Sequence, residues 1–389
     1  MNRLGGRAAI AGIGESAFAK QLEASELDLA CEAVTAALGD AGIAPSEVDG
    51  LASYTLESTE EYEMARAVGF GDLTFFSKIG YGGGAGCATV AHAAMAVATG
   101  QAEVVVAWRS RKRGGATNRP WAKQSTVVTG AWQWSRPLGL LRPVDEIAML
   151  TRRYMHEFGA TRDHLANVAL AARHHANRNP RAVMGDRELT REQYMEARWI
   201  SEPLCLFDNC LETDGAAAVV VTSVERARDC AQPPAVIHAA AQGLDAQHQP
   251  MTNFHTVDPL RGPAWACADL LWRSAEVGPD DVDVAQLYDA FSPLIILSLE
   301  GYGFCGRGEG AAFTEDGAIE LGGRLPVNTS GAGMSECYLH GFNLITEGTR
   351  QIRGTSTAQV DGAEVSLVTS GEGVPTSALL LTADRGGHA

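Results

Sequence analysis

The chain has 389 residues, of which 46% are hydrophobic and 20% are charged, and this apolar content excludes disorder as its dominant state. Its 31 basic and 47 acidic side chains give a formal net charge of −16, which disfavours a nucleic-acid binder because such proteins need a basic face. The 8 cysteines show no spacing typical of a disulfide framework or a zinc site, and no apolar run reaches the ~20 residues of a membrane span. With no recognisable signal peptide at the N-terminus, we expect a cytoplasmic α/β protein of two to three domains.

The first hundred residues alternate between buried strands and helices. Residues 7–13 predict a strand, and the helix that follows begins with a capping box at Ser25 and ends at Gly42. A glycine-rich turn over residues 80–86 then precedes a helix that is small and apolar on nearly every face, which predicts burial. Residues 103–108 predict a fully buried strand.

The composition changes from about residue 109 to residue 200. Charged residues, proline and tryptophan become frequent, and segments 152–158 and 162–177 predict exposed amphipathic helices. Buried-strand character returns at Asp214. We therefore interpret residues 109–200 as a cap or loop region inserted into an α/β core.

An internal repeat is the most informative pattern in the chain. Asp49 and Asp283 end two copies of a Pro-x-acidic-Val-Asp turn that leads from a helix into a strand. The glycine-rich turn of the first half has a counterpart at residues 328–333, which we expect to be followed by a helix, and the buried strand that follows recurs at residues 364–369. Two similar α/β halves with one insertion explain the length better than three unrelated domains.

This duplicated architecture resembles the thiolase superfamily across essentially the whole chain, and within it the branch of sterol carrier protein X thiolases and lipid-transfer-protein-like enzymes. The resemblance implies a thiolase fold, α/β in class, with five layers in the order α-β-α-β-α. It implies an N-terminal half over residues 1–225, which includes the inserted region at about 109–200, and a C-terminal half over residues 226–389. It also implies a homodimer.

The resemblance places a glycine where thiolases keep their nucleophile. Thiolases carry a reactive cysteine at the turn before the buried helix, and aligning the helix ends puts Gly83 at that position, so no acyl-enzyme forms there. Cys87, about one helical turn further on, is interpreted as a small core residue. The second thiolase cysteine is also absent, and two positions where relatives keep an Asn or His carry Tyr288 and Tyr338.

This pattern resembles the steroid side-chain aldolases of the thiolase fold. The resemblance implies retro-aldol cleavage of a β-hydroxy acyl-CoA from sterol or bile-acid side-chain breakdown into a 17-ketosteroid and propionyl-CoA. Tyr288 and Tyr338 are the expected proton-transfer groups, with base and acid left unassigned, provided that a partner lowers at least one pKa from about 10.

Further groups are expected to support the two tyrosines. Asp289 is expected to orient its neighbours, and His340 is expected to be a helix-surface residue or a supporting group. Backbone N–H groups near Gly371 and Gly373 are expected to bind the enolate oxygen. The resemblance implies no cofactor beyond the coenzyme A of the substrate, and we expect no metal in this chain. It also implies a partner with an OB-fold and a zinc ribbon that belongs to an associated enoyl-CoA hydratase.

Three alternatives and one motif stay open. A true thiolase of the same fold would recruit Cys87 or Cys337, and a non-catalytic protein would only bind acyl-CoA or lipid. An NAD-dependent oxidoreductase is the more distant alternative. Residues 80–85 match a dinucleotide-binding fingerprint, but the corresponding turn in the second half of the chain does not match it. The basic run Arg109–Arg113 follows a buried strand, so we expect it on a loop, where it holds CoA phosphates, faces a partner or is simply solvated.

Overall fold

A computed structural model describes residues 4–115, 128–130, 132–247, 251, 254, 256–372 and 374–386. The strands are β1 (Ala8–Glu15), β2 (Gly50–Tyr54), β3 (Phe75–Ile79), β4 (Val104–Lys112), β5 (Trp199–Ser201), β6 (Leu204–Cys205), β7 (Asp214–Ser223), β8 (Ala235–Gly243), β9 (Val284–Gln286), β10 (Val365–Ser370) and β11 (Thr376–Ala383). The helices are α1 (Glu26–Ala41), α2 (Glu61–Val68), α3 (Gly86–Ala98), α4 (Trp132–Ser135), α5 (Pro143–Phe158), α6 (Arg162–Ala176), α7 (Arg191–Glu196), α8 (Val224–Arg228), α9 (Ala264–Ala275), α10 (Ser292–Gly301), α11 (Gly310–Phe313) and α12 (Phe342–Arg353).

The sheet shows the duplication directly. Its strands are joined in the order β3-β2-β4-β7-β1-β8-β11-β10-β9. Outward from the β1–β8 join, each half has two antiparallel pairs followed by parallel pairing, with two parallel pairs in the first half and one in the second. The join is short, because only Ala9 and Ile10 of β1 pair with β8. The internal repeat expected from the sequence is therefore confirmed in the strand topology.

The repeated aspartate makes equivalent hydrogen bonds in both halves. The Asp49 carboxylate, just before β2, accepts the backbone N–H groups of Glu103 and Val104 at 2.9–3.0 Å, where β4 begins. Asp283, just before β9, accepts the two N–H groups at the start of β10 at 2.8 and 2.9 Å. Each carboxylate thus ties together the neighbouring parallel strands of its own half, because the first N–H groups of a strand need an acceptor.

Helices fill three layers around these strands. Helices α3 and α12 each contact strands of both halves, so they form the shared middle layer. Helix α1 packs on β1, β4 and β7, and α9 packs on β8 and β11. Alternate side chains of β1, β4 and β7 point to α1 on one face and to the middle layer on the other, as the two-residue period of a strand requires. The expected α-β-α-β-α thiolase fold is confirmed.

Two sequence expectations are wrong in detail. The basic run is not on a loop, because β4 pairs with β7 as far as Lys112, and Arg109 lies fully buried within it. Helix α6 is largely buried rather than exposed, since its small apolar face packs against the turn at residues 332–336. That turn is π-helical, and the expected helix after the second glycine-rich turn is α12, which begins at Phe342.

In the part of the chain that the structure describes, we find no helix with the length and apolarity needed to cross a membrane.

Candidate active site

The glycine-rich turn before α3 is packed too tightly for side chains. Residues 82–85 form a short 3₁₀ turn. A Cβ on Gly84 would lie 1.5 Å from the carbonyl oxygen of Pro375, which comes from the loop between β10 and β11. A Cβ on Gly83 would lie 2.2 Å from the hydroxyl oxygen of Tyr288. At the position where the thiolase resemblance expects a cysteine, the space is therefore filled by a phenol from the other half of the chain.

Tyr288 and Tyr338 form a hydrogen-bonded pair. Their hydroxyl oxygens are 2.5 Å apart, and the two rings are tilted by 52°. Tyr288 follows β9, and its N–H donates to Thr369 Oγ1 at 2.9 Å. Tyr338 follows the π-helical turn, and its N–H donates to Thr213 Oγ1 at 3.0 Å. We call this pair the tyrosine dyad; both members are buried but not sealed, with 5% and 7% of their surfaces exposed.

Burial controls the acidity of the dyad. It raises the pKa of Tyr288, and the hydrogen bond from Tyr338 only partly offsets that effect. It also raises the pKa of Tyr338, which the neighbouring Tyr288 raises further. The sequence-based requirement of a lowered tyrosine pKa is not met, so both hydroxyls are protonated at neutral pH. A pair of neutral hydroxyls at this separation is suited to passing protons in a relay.

Asp289 holds the turn that presents Tyr338. Its carboxylate accepts the N–H groups of Gly333 and Met334 at 2.9 and 2.8 Å. Burial raises the pKa of Asp289 to about 7, against the lowering effect of these two hydrogen bonds. A Cβ on Gly333 would lie 2.7 Å from Asp289 Oδ1 and 3.0 Å from the Tyr338 ring, so the turn and the ring are closely packed. Asp289 therefore positions the dyad rather than joining it.

His340 is buried beside the dyad, so the expectation of a helix-surface position is wrong. It precedes α12, and its ring meets that of Tyr338 edge-on at 5.0 Å between centroids. Nδ1 of His340 lies 3.0 Å from a guanidinium nitrogen of Arg109. Burial, followed by the charges of Arg109 and the other two arginines of the basic run, holds the pKa of His340 well below its usual value. The imidazole is therefore neutral and accepts the Arg109 hydrogen bond.

A buried ion pair fixes Arg109. Glu57 lies 3.2 Å from the Arg109 guanidinium, and both side chains are fully buried. Glu57 also accepts the N–H and the hydroxyl of Ser110 at 2.7 Å and the hydroxyl of Thr59 at 2.9 Å. Sequence reasoning missed Glu57 and the two threonines that anchor the dyad, because no local motif marks them.

The remaining candidate residues are two glycines of the β10–β11 loop and two cysteines. Gly371 has a φ of 83°, and a Cβ there would lie 2.7 Å from Gly84 Cα, so the β10–β11 loop lies directly against the glycine-rich turn. Gly373 lies outside the described residues. Cys87 is fully buried and turned toward β10, with its sulfur 3.2 Å from Ser370 Oγ, and burial raises the pKa of its thiol to about 12. Cys337 is fully buried too, and burial raises its pKa well above the usual value.

A metal site is not evident in the described ranges, where no group of three or more His, Cys, Asp or Glu side chains is arranged to hold an ion.

The fold and the modified thiolase turn agree with sequence comparison. Residues 7–225 match the family described as "Thiolase, N-terminal domain", and residues 246–382 match "Thiolase C-terminal domain-like". The chain belongs to the thiolase family.

Within this family, the chain is similar over its full length to enzymes named as lyases. It is 50% identical to the 17-hydroxy-3-oxo-4-pregnene-20-carboxyl-CoA lyase of Mycobacterium tuberculosis, in an alignment that covers 97% of this chain and 100% of the relative. It is 47% identical to the steroid side-chain-cleaving aldolase of Thermomonospora curvata, over 99% of this chain and 100% of the relative. The resemblance to steroid side-chain aldolases is confirmed.

Solved structures of similar proteins show the same fold. The structure of a protein named "Ltp2-ChsH2(DUF35) aldolase" superposes with a TM-score of 0.93 at 47% identity and covers 99% of this chain and 100% of that chain. Human mitochondrial 3-ketoacyl-CoA thiolase in complex with CoA has a TM-score of 0.71 at 14% identity, over 99% of both chains, which is a likeness of fold alone.

Proposed function

We propose that the protein cleaves the side chain of a steroid CoA thioester by a retro-aldol reaction. One observation carries this proposal: the Tyr288 hydroxyl occupies the space that a side chain on residue 83 would need. Its oxygen lies 2.2 Å from the position that a Cβ on Gly83 would take. The thiolase nucleophile is thereby replaced by an acid–base group. The full-length similarity to two named lyases supports the same reaction class.

The substrate is a β-hydroxy acyl-CoA such as the 17-hydroxy-3-oxo-4-pregnene-20-carboxyl-CoA named for the mycobacterial relative. The hydroxyl on the β-carbon gives up its proton, the bond between the α- and β-carbons breaks, and the electron pair passes to the α-carbon and the thioester oxygen. The products are a 17-ketosteroid and the enolate of propionyl-CoA, which takes one proton at its α-carbon.

The tyrosine dyad can carry out both proton transfers. One proton leaves the substrate and one returns to the product, so the reaction needs no net acid or base. Because the two hydroxyl oxygens are 2.5 Å apart, one tyrosine can accept the β-hydroxyl proton while the other donates its own proton to the α-carbon. This relay avoids a free phenolate, which burial disfavours for both residues. Asp289 and His340 position the pair, and the backbone N–H at Gly371 donates to the enolate oxygen.

The direct experiment incubates the purified protein with that steroid CoA ester and follows propionyl-CoA and the 17-ketosteroid by mass spectrometry. Tyr288→Phe and Tyr338→Phe are each expected to lower kcat by about 10² to 10⁴, the range of a lost general acid–base group. Tyr62→Phe is the matched control, because Tyr62 is 65% exposed. Full activity of both dyad variants would refute the mechanism, and absence of both products with the wild-type protein would refute the function.

A true thiolase is the competing assignment within the same fold, and the two cysteines it would recruit are poorly placed. The Cys87 thiol contacts Ser370 and the Val368 carbonyl of β10, and the Cys337 thiol contacts Thr213. Both thiols are fully buried with raised pKa values, so neither resembles a reactive thiolate. Incubation with a 3-ketoacyl-CoA and free CoA, followed by intact-mass analysis for an acyl adduct, tests this alternative. A non-catalytic binder would give no turnover in either assay.

We extend the proposal to assembly and location. The name of the similar aldolase, Ltp2-ChsH2(DUF35), joins two components, which supports a DUF35 protein partner. We propose that this partner is the OB-fold and zinc-ribbon part of an enoyl-CoA hydratase. A homodimer is supported by β3, an edge strand that exposes 70% of Phe76. All eight cysteines are unpaired, which is typical of a cytoplasmic protein. Light scattering of the wild type and of Phe76→Lys tests the dimer, and co-expression with the hydratase tests the partner.

A further inference from the structure

Arg113 places a buried guanidinium beside the tyrosine dyad. It lies one residue beyond β4 and is 8% exposed. Its Cζ is 5.8 Å from the centroid of the Tyr338 ring. Its charge opposes the effect of burial on both tyrosines, since it favours a negative charge at either hydroxyl. Arg113 therefore acts on the same volume in which the reaction develops negative charge.

The two buried arginines next to His340 differ in their partners. Arg109 is balanced by Glu57 at 3.2 Å and donates to Nδ1 of His340 at 3.0 Å. Arg113 makes no ion pair within the described ranges, whereas the buried Nε atoms of both arginines have no hydrogen-bond partner there. A buried charge without a counterion costs free energy. An anion that forms only during turnover would remove that cost.

His340 lies between Arg109 and Arg113 and does not neutralise Arg113. A neutral imidazole has one lone pair and one N–H. Because Nδ1 accepts from Arg109, Nε2 carries the proton and cannot accept from the Arg113 nitrogen 3.5 Å away. His340 is thus a positioning residue that separates the two guanidiniums, and the N–H groups of Arg113 stay available.

We propose that Arg113 donates hydrogen bonds to the thioester oxygen of the substrate and stabilises the enolate that forms there. This rests on the proposed retro-aldol function. When the bond between the α- and β-carbons breaks, its electron pair moves toward the α-carbon and the thioester oxygen. The β-hydroxyl proton passes to one tyrosine of the dyad, that tyrosine passes its own proton to the second, and the second gives its proton to the α-carbon. The guanidinium meets the oxygen as it becomes negative, and its contact weakens again when the α-carbon is protonated.

The experiment compares Arg113→Gln, Arg113→Lys and Arg113→Ala with the wild type in two assays. The first is cleavage of the steroid CoA ester, with kcat and KM determined separately. The second is exchange of the α-hydrogens of propionyl-CoA for deuterium in heavy water with the ketosteroid present, which requires the enolate but no cleavage. Arg152→Gln is the matched control, because the Arg152 side chain is 58% exposed and pairs at 2.9 Å with Glu202 on the surface.

We expect Arg113→Gln to lose about 10²- to 10³-fold in kcat, the range for a lost oxyanion donor, with KM within threefold and a parallel loss of exchange. Arg113→Lys should retain more activity, and added guanidinium should partly restore Arg113→Ala, which separates the effect from misfolding. Arg152→Gln should stay within threefold of wild type in kcat. A kcat within threefold for Arg113→Gln, or a rise in KM alone as expected for a phosphate contact, would overturn the inference. Failure of the wild type to cleave would instead count against the proposed function.

Discussion

Replacing Gly83 with alanine tests whether the tyrosine dyad depends on the empty side-chain position. The new Cβ would lie 2.2 Å from the Tyr288 hydroxyl oxygen, and an ordinary contact begins at 3.4 Å, so the hydroxyl must move by about 1.2 Å. No positive φ is needed at Gly83, so the penalty is steric and not conformational. A shift of this size disrupts the 2.5 Å hydrogen bond to Tyr338.

The expected losses of rate and stability follow from this displacement of the Tyr288 hydroxyl. A 1 Å misplacement of a reacting group costs about 10² in rate, and overpacking a tight site costs about 1–3 kcal/mol of stability. We therefore expect Gly83→Ala to lower kcat by about 100-fold, measured as propionyl-CoA release, and to lower the free energy of unfolding in urea. The double variant with Tyr288→Phe lacks the clashing oxygen, so its stability loss should be smaller and its kcat no lower than that of Tyr288→Phe alone.

Gly80→Ala is the control in the same turn, because a Cβ there meets nothing within 4 Å. If Gly83→Ala kept a kcat within threefold of Gly80→Ala, the hydroxyl would not be held where the structure places it. Additive losses in the double variant would equally refute the reasoning, since the two substitutions would then act on different features.

Three further predictions concern the surroundings of the dyad. Cys87→Ala should keep kcat within threefold and cost about 1 kcal/mol of stability, and an acylated Cys87 peptide in the wild type would contradict this. Glu57→Gln should destabilise the fold by about 3–5 kcal/mol in urea unfolding, because it leaves the Arg109 charge buried and unpaired, whereas Glu60→Gln at the surface should change stability by less than about 0.5 kcal/mol. The raised pKa of Asp289, about 7, stabilises the fold most below pH 4, and this contribution is lost as the pH rises to about 7, at up to about 1.4 kcal/mol per pH unit. Relative to Asp289→Asn, the wild type should therefore lose stability between pH 4 and 7, and parallel stability curves for the two proteins would show that the carboxyl does not titrate in this range.

The parts of the site that the sequence predicts are those marked by neighbours in the chain. Gly83 precedes a helix recognisable by its composition, and Tyr288 follows a strand recognisable from the repeat. Their contact joins the two halves, and nothing local to either residue indicates that the hydroxyl of one fills the side-chain position of the other.

The basic run shows why the electrostatics could not be predicted. A cluster of three arginines and a lysine predicts a loop, because unpaired charges are rarely buried. Here the neutralising carboxylate, Glu57, lies 52 residues earlier in sequence, and strand pairing with β7 carries the run into the core. His340 lies between two of these guanidiniums for the same long-range reason, so its neutral state is a property of the assembled fold.

The contact between Gly83 and Tyr288 also constrains how such a site can arise. A cysteine at residue 83 and a tyrosine at residue 288 would compete for one volume, so a chain holding both would have to distort the glycine-rich turn or the dyad. Loss of the nucleophile must therefore precede or accompany the arrival of the tyrosine. The packing therefore predicts sign epistasis between the two positions: a tyrosine at residue 288 should be harmful beside a cysteine at residue 83 and useful beside a glycine. Gly83→Cys alone should then not give acyl transfer, because a cysteine there also requires a smaller residue at 288.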